Sequence, residues 1–122
     1  MSAESKEFVV RRPRHDAVQD RSCHVWVERI ARDPKVEQDA ALVDVSRLGL
    51  QVKLTESLEP DEPLVVHIQH SQVKLDVALA GRVRWQRQCH DGYWTVGFVF
   101  DQAIEYEVMG ELFLCAVLSM QA

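Results

Sequence analysis

The sequence predicts a mainly β fold, an antiparallel sandwich or barrel followed by a C-terminal helix. Three observations carry this. Short segments alternate apolar and polar residues with period two. Proline, glycine and aspartate clusters separate those segments. The last twenty or so residues change to a helical period and contain no proline. The 122 residues amount to one domain. With 47% hydrophobic residues the chain can bury a core without disulfides.

Taken in order, residues 1–7 are polar and are expected to be disordered. Residues 8–21 form an arginine-rich arm with Arg11, Arg12, Arg14 and Arg21. Pro13 has no backbone donor, which makes the arm extended or turn-like. The β domain is expected over residues 22–100. Cys23, Val25 and Val27 alternate with His24, Trp26 and Glu28. Residues 33–40 are polar and carry Pro34, which predicts a loop or hairpin tip before the apolar run Ala40 to Val45. Leu48, Leu50, Val52 and Leu54 alternate with Gly49, Gln51 and Lys53. Pro60, Asp61 and Pro63 signal a turn, after which Leu64, Val66 and Ile68 share one parity. Val73, Leu75, Val77 and Leu79 follow, and Gly81 inside this long strand suggests a bulge or a barrel corner. Asp91-Gly92 is a hairpin signal ahead of the β-branched and aromatic run Tyr93 to Phe100. The helix is expected over residues 102–120, with Ile104, Val108, Leu112 and Cys115 on one apolar stripe. Leu114 and Leu118 make a second apolar face, which suggests a further partner such as another copy of the chain.

Charge narrows the function. The formal net charge is −5, which disfavours a whole-surface nucleic-acid binder, and no DNA or RNA partner is expected. Two basic islands stand out from that background. One is the arm; the other is Arg82, Arg84 and Arg87 with no acid among them. Such islands suit a localised anion site. No apolar run approaches the roughly 18 residues of a membrane span. With no leader pattern and three cysteines lacking a Cys-x-x-Cys spacing, a reduced, cytoplasmic protein is expected. Cys23-His24, His67-x-x-His70 and Cys89-His90 are poor metal sets, because strand neighbours point to opposite faces. Cys89-His90 has no orienting acid or oxyanion hole in any motif, so the protein is not expected to be an enzyme.

The most informative stretch is Asp44-Val45-Ser46-Arg47-Leu48-Gly49. Asp44 and Ser46 can cap turn amides, and Gly49 permits positive φ or close backbone approach. Downstream lie Val83-Arg84-Trp85 and Val96-Gly97-Phe98-Val99-Phe100. This ordered set resembles the PilZ domain family of cyclic di-GMP receptors. The family's [Asp/Asn]-x-Ser-x-x-Gly motif is matched in full by Asp44, Ser46 and Gly49. Its Arg-x-x-x-Arg motif is not matched. Arg11, Arg12 and Arg14 supply three arginines at other spacings, so either Arg14 takes the second role or this copy is degenerate.

The resemblance implies a six-stranded antiparallel β-barrel with a C-terminal helix. It implies cyclic di-GMP as the ligand, with no further cofactor, and a ligand set of Arg11, Arg12, Arg14, Asp44, Ser46, Arg47, Gly49 and Trp85. Arginine can grip a phosphate with two donors or reach guanine O6 and N7. Asp44 would accept from guanine N1 and N2, Ser46 would support a phosphate or that aspartate, and Trp85 would stack or wall the pocket. Two outputs stay open: a receptor whose arm closes over the nucleotide and signals through a partner protein, or a protein-interaction adaptor that binds no nucleotide.

Overall fold

Alternating side chains need a pleated, one-face-buried strand, and six segments of this chain take that form. The computed structural model describes residues 14–18, 23–32, 34, 36–72, 74–114 and 117. Arg11, Arg12, Arg21, the expected disordered start, and residues 115, 116 and 118–120 of the expected helix lie outside the described residues. In chain order the strands are β1 (His15–Asp16), β2 (Cys23–Arg29), β3 (Val36–Val45), β4 (Gly49–Leu54), β5 (Pro63–His70), β6 (Leu75–Gln88) and β7 (Trp94–Phe100). One helix, α1, spans Tyr106–Leu114. The sheet order is β1-β3-β2-β5-β6-β7-β4, and β4 pairs back onto β3. All pairings are antiparallel, so β2 to β7 close into a six-stranded barrel and the two-residue β1 lies along β3. Among the described residues no helix is long and apolar enough to cross a membrane.

The core is the inward parity of these strands: Val25 and Val27, Leu50 and Val52, Leu64 to Ile68 on alternate positions, and Val96 with Phe98 are all buried. One inward position is charged. Arg29 continues the Val25, Val27 parity and is buried against Glu62. The outward face of β2 carries a stack in which Trp26 lies between His24 and His67, with ring centroids 4.7 Å apart on each side.

Three local expectations are corrected. Val36 to Ala40 is strand, not a hairpin tip, because its residues pair one for one with Arg29 to Val25. The ladder to β2 outweighs the low strand preference of Glu37 and Asp39, which are exposed. The irregularity of β6 falls between Val83 and Trp85, not at Gly81. Gly81 carries no bulge; with Arg82 it is where β6 is paired on both sides, Gly81 to Leu64 and Phe100 and Arg82 to Pro63 and Val99. The helix begins at Tyr106, not at residue 102, because the Ile104 N–H donates to the Arg47 carbonyl at 2.8 Å and keeps that segment extended. Ile104, Met109 and Leu112 are buried, so the connector and one face of α1 belong to the core. The Asp91-Gly92 turn forms as expected: Gly92 has φ 87°, and the Asp91 carboxylate accepts the Tyr93 N–H at 3.0 Å.

Candidate functional site

The candidate site is a surface cleft of about 530 Å³ lined by Arg14, Ser46, Leu48 to Gln51, Arg84, Trp85 and Gly97 to Val99. One wall is the turn from β3 into β4 together with β1. The other is the irregular part of β6 against β7.

The first wall is built by pairing. Beyond Ala40, β2 no longer covers the edge of β3, and β1 takes the place, with His15 opposite Val45 and Asp16 opposite Asp44. This sets Arg14 beside Asp44. Arg14 Nε and Nη2 donate to Asp44 Oδ1 at 3.0 and 2.8 Å, and Gln51 Nε2 donates to Oδ2 at 3.1 Å. Arg14 keeps 42% of its side chain exposed, whereas the Asp44 side chain is 13% exposed. The carboxylate therefore works as an anchor that aims the guanidinium along the wall.

Ser46 and Gly49 close the turn. The Ser46 N–H donates to the Gly49 carbonyl at 2.8 Å, and the Ser46 hydroxyl donates to the same oxygen at 3.3 Å. That hydroxyl also accepts the Leu48 N–H at 3.4 Å and is buried. Its bonds hold the turn and do not reach Asp44. Gly49 opens β4 opposite Val99. A Cβ there would come within 2.2 Å of the Phe98 carbonyl oxygen. The glycine is required by the approach of β7, where the sequence suggested approach of a ligand.

The second wall owes its shape to a bulge. Val83 pairs with Phe98 and Trp85 with Gly97, which leaves Arg84 as the extra residue. The bulge puts Arg84 and Trp85, neighbours in sequence, both on the outside. The Trp85 indole lies on Gly97, where a Cβ would meet its Nε1 and Cε2 at 2.3 Å. The ring is thus laid against the sheet with 39% of the residue exposed, and the Arg87 guanidinium sits 5.9 Å from the ring centroid.

Of the sequence-predicted set, Arg14, Ser46, Gly49 and Trp85 come together in the cleft, and Asp44 stands behind Arg14. Arg11 and Arg12 lie outside the described residues. Arg47 turns away: its Nε donates to the Ile104 carbonyl at 2.9 Å, and its guanidinium lies 4.0 Å from the Tyr106 ring centroid. Sequence reasoning missed Gln51 and Arg84 as site residues. The signal for Arg84 was the acid-free basic island at residues 82–87; strict alternation would have placed it on the face opposite Trp85. Gln51 shares the outward parity of Gly49, two residues away.

Chemically, the cleft presents two arginines and an indole face around a turn with no exposed carboxylate among its lining residues. That combination suits an anionic ligand with a planar ring. A comparison with curated proteins finds no match. The family model of the PilZ domain matches residues 13–113, most of the chain. PilZ domains are cyclic di-GMP receptors and adaptors and not enzymes. The closed six-stranded barrel with its C-terminal helix agrees with that match, and the protein belongs to the PilZ domain family.

Proposed function

We propose that the cleft binds cyclic di-GMP and that the protein, acting in the cytoplasm, passes the signal to a partner protein. The observation that carries this is the Arg14–Asp44 pair facing Arg84 and Trp85 across a cleft of about 530 Å³. That volume is within the usual range for small-molecule sites. Two phosphates would take Arg14 and Arg84, and a guanine would lie on Trp85. Asp44 has carboxylate lone pairs beyond those used by Arg14 and Gln51, available to guanine N1 and N2 donors. Arg11 and Arg12 precede Arg14 in the chain and would add to the phosphate contacts.

The adaptor reading has one observation in its favour. Arg14 and Asp44 already satisfy one another, and a nucleotide must share or replace that pair. Calorimetric titration with cyclic di-GMP separates the two. The receptor reading expects a dissociation constant near about 1 µM, corresponding to about −8 kcal/mol. Asp44→Ala and Arg14→Ala each remove a charge-assisted contact of about 1.5–3 kcal/mol, so each should weaken binding about 10–150-fold. Lys53→Ala, whose ammonium is held by Asp91 at the hairpin, should bind as wild type. No heat from the wild-type protein at about 1 mM nucleotide would make the protein an adaptor.

A further inference from the structure

Arg47 lies between two residues that line the cleft, Ser46 and Leu48, yet its side chain serves the helix. Nε donates to the Ile104 carbonyl at 2.9 Å, Nη1 donates to the Tyr106 hydroxyl at 3.3 Å, and the guanidinium stacks on the Tyr106 ring at 4.0 Å. The other end of α1 meets the β1 part of the same wall. His15, next to Arg14, places its ring edge-on against Phe113, with centroids 4.8 Å apart and an angle of 83°. Three residues on, the Val18 N–H donates to the Val117 carbonyl at 2.8 Å. The nine-residue helix is therefore held at both ends by sequence neighbours of cleft residues. A helix this short is not stable alone, so such contacts decide whether it stays formed.

We propose that Arg47 is a two-position positioning residue that couples the cleft to α1. In one position it stacks on Tyr106. In the other it turns to a phosphate of cyclic di-GMP, and the first turn of α1 loses its hold. This rests on the binding function proposed above and adds the route by which binding reaches the surface. The direction follows from the two contacts. Turning gives up the Nε bond to the Ile104 carbonyl and the contacts with Tyr106, which is 75% exposed; bonds to neutral acceptors and a solvated cation–π contact are weaker than charge-assisted bonds to a phosphate. The backbone bond from Ile104 to Arg47 need not break, so the change stays with Tyr106 and the turn that follows it. Coupling is reciprocal: if the nucleotide weakens the Arg47–Tyr106 contact, removing that contact favours the nucleotide.

Tyr106→Ala tests this on a residue too exposed to threaten the fold. Calorimetry should show cyclic di-GMP binding about three- to tenfold tighter than wild type, the share of binding otherwise used to unstack the ring. Tyr106→Phe keeps the ring and should stay closer to wild type. Amide hydrogen exchange over residues 106–114 gives an independent readout. Nucleotide should speed exchange there in the wild-type protein, while Tyr106→Ala should exchange fast with or without it. If the wild type binds, but Tyr106→Ala binds equally well and exchange over α1 ignores the nucleotide, the coupling is overturned and the binding function stands. If the wild type gives no heat, both fall together.

Discussion

Arg29→Ala is expected to lower the folding free energy by about 3–5 kcal/mol, the cost of leaving one member of a buried ion pair alone. Domains of this kind are stable by only about 5–15 kcal/mol, so the variant should be largely unfolded at modest urea. Arg29 occupies an inward position of β2 and is 6% exposed; Glu62 is 5% exposed. Two parallel bonds join them, Nε to Oε2 at 2.7 Å and Nη2 to Oε1 at 2.8 Å. The Glu59 N–H supplies a further donor to Oε1 at 2.8 Å. The bond from Arg29 holds the Glu62 carboxyl below its usual value against the opposing effect of burial, and the same bond raises Arg29.

The pH dependence follows from that direction. Glu62 is lowered in the folded state, so its contribution is fully present above its unfolded value of about 4.3 and is lost as pH falls through the folded value. The wild-type protein should lose stability on acidification below about pH 4. In Arg29→Ala the buried carboxylate has lost its cation, and protonation should relieve it, so between pH 7 and 5, where the pair gives the wild type no slope, the variant should gain stability as pH falls. A double variant, Arg29→Met with Glu62→Leu, should recover most of the loss, since apolar replacements of a buried pair are often neutral. Urea denaturation of the three proteins at about pH 7, 5 and 3 checks each point. A single variant within about 1 kcal/mol of wild type would show that water reaches Glu62 and that the pair is not a core element.

The second large effect is expected at Gly49. Gly49→Ala should destabilise the ligand-free protein by about 1–3 kcal/mol, because the added methyl has nowhere to go. It would meet the Phe98 carbonyl oxygen at 2.2 Å, the carbonyl carbon at 3.2 Å and the Val99 Cα at 3.3 Å. All three are backbone atoms of β7, so no side chain can swing aside, and the β4–β7 pairing must part. Nucleotide binding should weaken as well, since Leu48 to Gln51 and Gly97 to Val99 both line the cleft. The order of effects distinguishes two roles for the motif glycine. Loss of stability without ligand marks a packing role. Wild-type stability with lost binding would return Gly49 to the role of admitting the ligand.

Much of the barrel was legible because a strand with one buried face must alternate. Val25 and Val27, Leu50 to Leu54 and Leu64 to Ile68 carry that alternation openly, and each lies in a strand with that parity inside. Asp91-Gly92 was legible because a positive φ next to an aspartate cap has few other uses. Val36 to Ala40 was not, since its strand character comes from the ladder to β2 and not from its own residues. The bulge at Arg84 was not, because a one-residue slip leaves no mark on composition. The Asp44, Ser46, Gly49 spacing pointed to the turn that lines the cleft. It did not say that Ser46 and Gly49 are occupied with the turn itself, or that Arg47 faces the helix.

By itself, then, the sequence determined the fold class, the family and the turn around which the cleft is built. Those depend on local periodicity and on residues close together in the chain. The tertiary structure decided which side chains share the cleft. Arg14 reaches Asp44 across thirty positions only because β1 fills the edge of β3 that β2 leaves open. Arg84 joins Trp85 only because β6 bulges against β7. Arg47 leaves the cleft because Ile104 and Tyr106, 57 and 59 positions away, offer it a carbonyl and a ring. Contacts over such separations depend on strand register and barrel closure, which no local pattern encodes.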